Sequence, residues 1–177
     1  MQHENISRKN VETKRTNKFV IGVDPGLTGA VAVINTETND LETVFDMPVT
    51  KMKGRKDVID AYSLNLMLSP FMSRTHFVMI EEVNAMPQQG VVSTFRFGFV
   101  TGVVHGIVAS YLTEIKTVKP SIWKILMKLS SNKSDSLNSA IQLFPSHAKL
   151  FKRKMDDGRA EASLLAWFGK DRFLGKI

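Results

Sequence analysis

The stretch that decides the fold is Phe19-Val-Ile-Gly-Val-Asp-Pro-Gly-Leu-Thr-Gly-Ala-Val-Ala-Val33. It holds two apolar runs, 19–24 and 30–35, joined by a short link that contains proline and glycine. Valine and isoleucine without polar alternation predict strands buried on both faces, and the short link predicts an antiparallel pair. The first strand ends on Asp24. An acid at the end of a buried strand is a candidate for chemistry, although Asp24 alone also suits a simple turn cap.

The remaining chain alternates apolar segments with turn signals, which predicts one mixed α/β domain over residues 19–177. The polar segment 1–18 is predicted to be a disordered basic tail. Three antiparallel strands followed by strands that alternate with helices predict a mixed five-stranded sheet flanked by helices. The predicted strands are 19–24, 30–35, 41–47, 77–81 and 115–118. The predicted helices are 57–69, 91–112, 121–129, 133–144 and 157–168, the first of them with Ile59, Tyr62 and Leu66 as apolar positions. The predicted loops are 48–57 and 146–156.

Composition narrows the class of protein. A net charge of +7 and a pI near 9.7 favour a polyanionic partner, nucleic acid first. The absence of cysteine excludes a thiol nucleophile, a thiolate zinc site and a disulfide framework. The longest apolar run, 100–109, is interrupted by glycine and histidine, so we expect no membrane span. The lack of targeting signals predicts a cytoplasmic protein of a bacterium or a phage-infected cell.

Three further acids occupy positions like that of Asp24. Glu81 lies at the carboxyl end of the predicted strand 77–81, and Asp157 and Glu161 lie at the start of the last helix. Carboxylates from separate segments suit divalent cations such as Mg²⁺, which prefers oxygen ligands. Each has a simpler alternative: Asp157 as a helix N-cap, and Glu161 as the partner of Arg159 or a lysine. Asp156 and Glu82 remain rivals for the third and second positions.

Five motifs in register carry a family resemblance. The residues Val-Ile-Gly-Val-Asp-Pro-Gly-Leu-Thr-Gly-Ala at 20–30 resemble the opening strand of RuvC-type Holliday junction resolvases, which are members of the ribonuclease H-like superfamily. The later motifs follow in the family's order over residues 19–168. They are Met79-Ile-Glu-Glu-Val83, the glycine-bearing 97–107, the segment 118–145 with Val118-Lys-Pro-Ser-Ile-Trp-Lys124, and Asp157-Gly-Arg-Ala-Glu-Ala-Ser-Leu-Leu-Ala166.

The resemblance implies a ribonuclease H-like fold and a homodimeric endonuclease that cuts four-way DNA junctions by paired nicks. It implies two Mg²⁺ ions per active site, with Mn²⁺ as a substitute, and products with 5′-phosphate and 3′-hydroxyl ends. Lys119 and Lys133 resemble the basic residues that the family keeps beside its site, and Lys133 is assigned a catalytic role. The implied metal ligands are Asp24, Glu81, Asp157 and Glu161, and the predicted DNA contacts are Lys119, Lys124, Lys133, Lys152, Arg153 and Lys154.

The sequence departs from the family at several positions. The last two acids are four residues apart rather than three, although both spacings keep them on one helix face. Asn84 stands where some relatives carry an aromatic wedge, which puts junction opening in doubt. Gly98, Gly102 and Gly106 form one helix stripe that predicts close packing, either on the core or at a dimer seam. Two phenylalanines beside that stripe, Phe95 and Phe97, with Arg96 between them, either stack on DNA bases or fill a core or dimer seam.

Three other functions compete with junction resolution. A less selective nuclease of the same superfamily would cut flap, Y-shaped or other branched DNA. An actin-like sugar kinase shares the Asp-x-Gly pattern at 24–26, but the chain is short for the paired domains of that class and shows no second phosphate loop. A non-catalytic junction-binding module would be expected to have lost acids, whereas all four positions retain one.

Overall fold

A central sheet of five strands organises the protein, for which a computed structural model describes residues 16–54, 56–82 and 90–175. Most of the predicted tail, 1–15, lies outside the described residues. The strands are β1 (Phe19–Val23), β2 (Ala30–Asn35), β3 (Asp40–Asp46), β6 (Thr75–Glu81) and β7 (Ile115–Val118), with a separate hairpin of β4 (Val49–Thr50) and β5 (Val58–Ile59). The helices are α1 (Ala61–Met72), α2 (Val91–Ser110), α3 (Pro120–Leu126), α4 (Lys133–Leu143) and α5 (Asp157–Leu174).

The strand order in the sheet is β3-β2-β1-β6-β7. β1 pairs antiparallel with β2, and β2 pairs antiparallel with β3. β6 then joins β1 in parallel, and β7 joins β6 in parallel. This mixed five-stranded sheet confirms the predicted fold class.

The strand residues of β1 point alternately into two hydrophobic cores, one on each face of the sheet. Val20 belongs to the core that α3, α4 and α5 cover. Ile21 and Val23 belong to the opposite core, which α1 and α2 cover. Every residue of β1 and β2 is buried, which agrees with the uninterrupted apolar runs in the sequence.

Close backbone contact holds α5 against β1. A Cβ added at Gly22 would lie 2.1 Å from the carbonyl oxygen of Ala162, and one added at Gly158 would lie 2.6 Å from the carbonyl oxygen of Thr28. Both distances are shorter than real side chains tolerate, so only glycine permits this approach. The two contacts fix the start of α5 over the turn that follows β1.

The region before and within α1 differs from prediction. The expected loop 48–57 begins with β4, and Ile59 lies in β5 rather than on a helix. The helix starts at Ala61 because the Asp60 carboxylate caps it, accepting from the N–H of Ser63 at 3.0 Å. Its buried positions are Leu64, Leu68 and Met72, neighbours of the apolar positions named from the sequence, whereas Tyr62 and Leu66 themselves are exposed.

The glycine stripe of α2 does not pack on the core. Val100, Val104 and Val108 form the buried face, and a Cβ added at Gly98, Gly102 or Gly106 would meet no atom within 4 Å. The core-packing interpretation of the stripe was therefore wrong within the described residues. Contrary to the expectation from sequence, α2 is long and apolar enough to cross a membrane by length and composition, with 17% of that window buried. The face that carries its buried valines nevertheless packs on the sheet.

Two further boundaries differ from the sequence prediction. The segment predicted as a basic loop, 146–156, forms two 3₁₀ turns, Pro145–Phe151 and Lys154–Asp156. The last helix continues past Gly169 to Leu174. Gly169 lies inside that helix and faces the sheet, where a Cβ would come within 3.0 Å of the Phe77 ring.

Gly158→Ala tests the α5 contact. The added methyl group meets backbone atoms that have no free space, so we expect the free energy of unfolding to fall by about 1–3 kcal/mol. Asn138→Ala, on the exposed side of α4, is the control, and the helix gains up to about 0.7 kcal/mol from the substitution. Urea denaturation of both variants measures the difference. Equal stabilities would contradict the proposed close approach.

Candidate active site

Asp24 and Glu81 leave the sheet side by side. Val23 of β1 is in register with Ile80 of the parallel strand β6, so the residues that follow them emerge at the same edge. The carboxyl edge of parallel strands is where α/β folds commonly place ligands. The two strands therefore fix the first pair of predicted site residues.

The start of α5 adds Asp157 and Glu161 to this edge. They are four residues apart and share one helix face. Gly158 lies between them against the carbonyl of Thr28, in the turn that Asp24 begins. The structure thus brings all four predicted acids to one end of the sheet.

The carboxyl group of Asp24 is the most perturbed of the four. Burial raises its pKa to about 7, and the negative charges of Glu81, Glu161 and Asp157 contribute to the rise. The N–H of Gly26, which donates to Asp24 Oδ1 at 3.3 Å, acts in the opposite direction. The turn-capping alternative is therefore met in part, but a turn cap does not explain three carboxylates around it.

Trp123 supports Glu81. Its ring is fully buried, and its Nε1–H donates to Glu81 Oε1 at 2.9 Å. Burial raises the pKa of Glu81, and the charge of Glu161 raises it further. The hydrogen bond from Trp123 and the charge of Lys124 act in the opposite direction. The indole therefore holds this carboxylate in one orientation.

Two lysines neutralise part of the α5 pair. Lys124 Nζ donates to Glu161 Oε1 at 2.7 Å, and the hydroxyl of Ser136 donates to the same oxygen at 3.3 Å. Lys133 pairs with Asp157, and this hydrogen bond raises the pKa of its amine. The alternative that Glu161 pairs with a lysine is therefore met by Lys124, whereas Arg159 binds Asp46 instead.

The donor set fits a divalent cation. Four carboxylates face two ammonium groups, so net negative charge remains when all are ionised. The ligands are all oxygen, as Mg²⁺ prefers. Within residues 16–54, 56–82 and 90–175, no three acidic or imidazole groups are arranged so that they could hold one metal ion. In this arrangement the amines of Lys124 and Lys133 occupy carboxylate oxygens of Glu161 and Asp157.

The two rivals differ from the four acids in their surroundings. Asp156 is buried, and its carboxylate accepts from the backbone N–H, Nε and Nη2 of Arg153. Although burial opposes it, this bonding holds the pKa of Asp156 below its usual value. Asp156 therefore closes the turn before α5. Glu82 lies beyond the last residue of β6, and its N–H donates to the carbonyl of Val118.

The predicted DNA contacts separate into two groups. Lys124 and Lys133 lie within the acidic cluster. Lys119, Lys152 and Lys154 are exposed and do not pair with these acids. Arg153 pairs with Asp156, although its side chain is 61% exposed. Asn84 lies outside the described residues.

Sequence reasoning missed Trp123 and Ser136 as parts of this site. Trp123 was interpreted only as a core residue, which its burial confirms, but its N–H points to Glu81. An indole must find an acceptor when buried, and that rule was the available signal. Ser136 lies on the buried face of α4 and gave no comparable signal.

Comparison with solved structures assigns the fold. RuvC of Thermus thermophilus, solved in complex with a Holliday junction substrate, is 14% identical, with a TM-score of 0.62 over 89% of this chain and 97% of that one. A second structure of Thermus thermophilus RuvC is 15% identical, with a TM-score of 0.56 over 87% and 96% of the two chains. No family model and no curated protein sequence matches the chain.

The chain therefore has the ribonuclease H-like fold, in the form that RuvC has. The match spans nearly all of that RuvC chain. At this level of identity the comparison establishes the fold, and activity has to be argued from the site.

Asp24→Asn is expected to stabilise the metal-free protein at pH 8. The folded pKa of about 7 exceeds the ordinary 3.8, so the stability linked to this carboxyl is complete below pH 4 and is lost as the pH rises through 7. Asparagine keeps the shape without the charge. We expect a gain on the order of 2 kcal/mol at pH 8 and little change at pH 4. Urea denaturation in EDTA measures it, with Glu37→Gln as control; a destabilised variant at pH 8 would contradict the clustered charge.

Proposed function

We propose that the protein is a structure-selective DNA endonuclease that resolves four-way junctions by paired symmetric nicks. The observation that carries the proposal is the convergence of Asp24, Glu81, Asp157 and Glu161 at one end of a RuvC-like fold. A basic chain that concentrates acids at a single place is suited to bind a polyanion around a cation site. The cytoplasm of a bacterium or phage-infected cell is the proposed location.

The four carboxylates would hold two Mg²⁺ ions, or Mn²⁺ in their place. Bound metal would supply Lewis-acid activation of water and charge neutralisation at the phosphate. Asp24, which lies among the other three acids, would contribute a ligand to the cation site. The N–H of Trp123 bonds to one oxygen of Glu81 and so keeps the carboxylate oriented. The other Glu81 oxygen is left available for other ligands.

Lys124 and Lys133 exchange partners when substrate binds. In the protein alone they neutralise Glu161 and Asp157. If those oxygens held cations, the two ammonium groups would be released and could contact the non-bridging oxygens of the scissile phosphate. Lys119, Lys152 and Lys154 contact the DNA backbone farther out. Water attacks phosphorus in line and the bond to the 3′ oxygen breaks, which leaves 5′-phosphate and 3′-hydroxyl ends.

Labelled junctions and matched linear duplexes test the activity. We expect paired nicks at the junction with Mg²⁺, none in EDTA, and products that DNA ligase seals. Loss of an outer-shell partner of a metal lowers activity roughly 10–100-fold. Glu81→Gln should lower the cutting rate by more than this, while junction binding persists. Glu37→Gln, an exposed acid, is the control.

The alternative is a less selective nuclease of the same superfamily. Equal cutting of flap, Y-shaped and four-way DNA would favour it over a resolvase. Tight junction binding without any cutting, in Mg²⁺ or Mn²⁺, would contradict the proposed metal site itself.

The exposed face of α2 provides the proposed homodimer contact. Val91 is 85% exposed and Phe95 is 74% exposed, an apolar surface that water disfavours. Gly98, Gly102 and Gly106 lie on the same face and allow a second helix to come close. A two-fold axis through this stripe would place two active sites symmetrically, as two symmetric cuts require.

Gly102→Leu is expected to convert dimer to monomer, because its side chain projects from the stripe into the space of the partner helix. Sedimentation velocity measures the change. Asn138→Leu, an equally large substitution on the exposed side of α4, should leave the dimer intact. A wild-type protein that stays monomeric at high concentration, or that floats with phospholipid vesicles, would contradict the seam and favour another partner for α2.

A further inference from the structure

Each of the four acids at the site has one carboxylate oxygen that the protein itself already engages. The engaged oxygens are Asp24 Oδ1, Glu81 Oε1, Asp157 Oδ2 and Glu161 Oε1, and their donors are, in that order, the N–H of Gly26, the indole of Trp123, the amine of Lys133, and the amine of Lys124 together with the hydroxyl of Ser136. Among residues 16–54, 56–82 and 90–175, no group donates to the second oxygen of these acids. In this arrangement each acid offers a cation one oxygen rather than two.

The side-chain donors differ in how firmly they are held. Lys124 and Lys133 carry their amines on flexible chains, and the side chain of Lys133 is 64% exposed, so these groups can leave their acids. The indole of Trp123 is fully buried, in the core that also contains Met79. A ring in a close-packed core has no second position to adopt, and its N–H needs an acceptor there. Of the indole and the two amines, only the indole is therefore fixed in place.

The sheet sets both ends of the bond between Trp123 and Glu81. Glu81 is the last residue of β6 and is in register with Val118, the last residue of β7. Pro120 begins α3 two residues after that strand, in the first helical position, where its fixed φ and missing N–H suit a helix start. Trp123 follows within the first turn of α3. The short connection from β7 to α3 therefore places the indole beside the carboxylate at the end of the neighbouring strand.

Mg²⁺ and Ca²⁺ differ in what they require from a carboxylate. Mg²⁺ demands a near-ideal octahedron, keeps several of its waters and is bound by only one or two carboxylates. Ca²⁺ is larger, takes about 6–8 oxygen ligands, and often takes both oxygens of a single carboxylate. An acid that is restricted to one oxygen still meets the needs of Mg²⁺, whereas it withholds a ligand that Ca²⁺ would use.

We infer that Trp123 is a positioning residue that sets the cation selectivity of the site: it holds Oε1 of Glu81, leaves that acid one oxygen, and so favours Mg²⁺ over Ca²⁺. The inference rests on the proposed function, since it presumes that Glu81 is a cation ligand. Trp123 acts through Glu81 alone. The restriction is weaker at Asp24, where the donor is 3.3 Å away, against 2.9 Å for the indole on Glu81.

The test measures cation binding to the full chain without DNA, so that no reading depends on cutting. Mn²⁺ is the probe, its free fraction is measured by electron paramagnetic resonance, and Mg²⁺ or Ca²⁺ is added as the competitor. Loss of an outer-shell partner lowers metal affinity roughly 10–100-fold, and we expect this loss of Mg²⁺ affinity in Trp123→Phe. Ca²⁺ affinity should fall less, since the freed Oε1 becomes a further ligand for the larger ion. The ratio of Ca²⁺ to Mg²⁺ affinity should therefore rise roughly 10-fold.

A second variant separates the hydrogen bond from the packing of the ring, because Trp123→Phe also removes volume from the core. Trp123→3-benzothienylalanine keeps the shape of the indole and replaces its N–H by sulfur. Trp167 is the other tryptophan of the chain, so the analogue is introduced in a Trp167→Phe background. Trp167→Phe alone is the matched control: that ring packs edge-to-face on Phe144, and its loss should leave the affinity ratio at the wild-type value. If Trp123→Phe does not fold, the analogue alone decides.

The outcomes separate this inference from the proposed function. An unchanged affinity ratio in the analogue, with Mn²⁺ still bound, would overturn the selectivity role and leave the cation site intact. A ratio that rises in Trp123→Phe but not in the analogue would assign the effect to lost volume and overturn the role of the hydrogen bond. Wild-type protein that binds no Mn²⁺ would overturn both the cation site and the inference. A raised ratio in the analogue would support the inference even if the protein cut no junction, in which case only the proposed activity would fail.

Discussion

The contact between the backbones of α5 and β1 is the constraint on which the site depends. Gly22 and Gly158 let the helix lie directly on the strand and on the turn that follows it. Any side chain at these positions would push the helix outward and carry Asp157 and Glu161 away from Asp24. The position of the acids is therefore set by residues that carry no functional group.

That arrangement stores electrostatic repulsion in the folded protein. Burial of Asp24, together with the charges of the three other carboxylates, raises its pKa to about 7, so its ionised form is unfavourable there. Lys124 and Lys133 relieve the α5 pair but lie farther along the site, and the Gly26 N–H relieves Asp24 only in part. A chain selected for stability alone would not keep four acids in this place. Repulsion of this kind is understandable where a cation completes the site.

The sequence predicted the sheet well because its signals were local. Apolar runs without alternation gave β1 and β2, and their order with the later strands gave the mixed topology. It predicted α1 poorly, since Asp60 caps the helix later than expected and turns Leu64 rather than Tyr62 to the core. The proximity of the four acids was predictable from their places near strand ends and the start of the last helix, together with the order of the family's motifs.

Contacts between distant segments were beyond such reasoning. No pattern in the sequence pairs Trp123 with Glu81, or Arg159 with Asp46. The glycine stripe of α2 shows the same limit. Its spacing predicted close packing, but only the structure shows that the partner is not the sheet, because valines on the opposite face already fill that role.

The exposed face of α2 and the acidic site are linked through the hairpin. Arg96 bonds the hairpin to α2, and the N–H of Met47 bonds the start of the hairpin segment to the turn that Asp24 begins. Whatever covers α2 is therefore connected, by a path through these two hydrogen bonds, to the turn that carries Asp24. Two such paths related by a two-fold axis would hold both sites at a fixed separation, which is the geometric condition for symmetric cuts in a four-way junction.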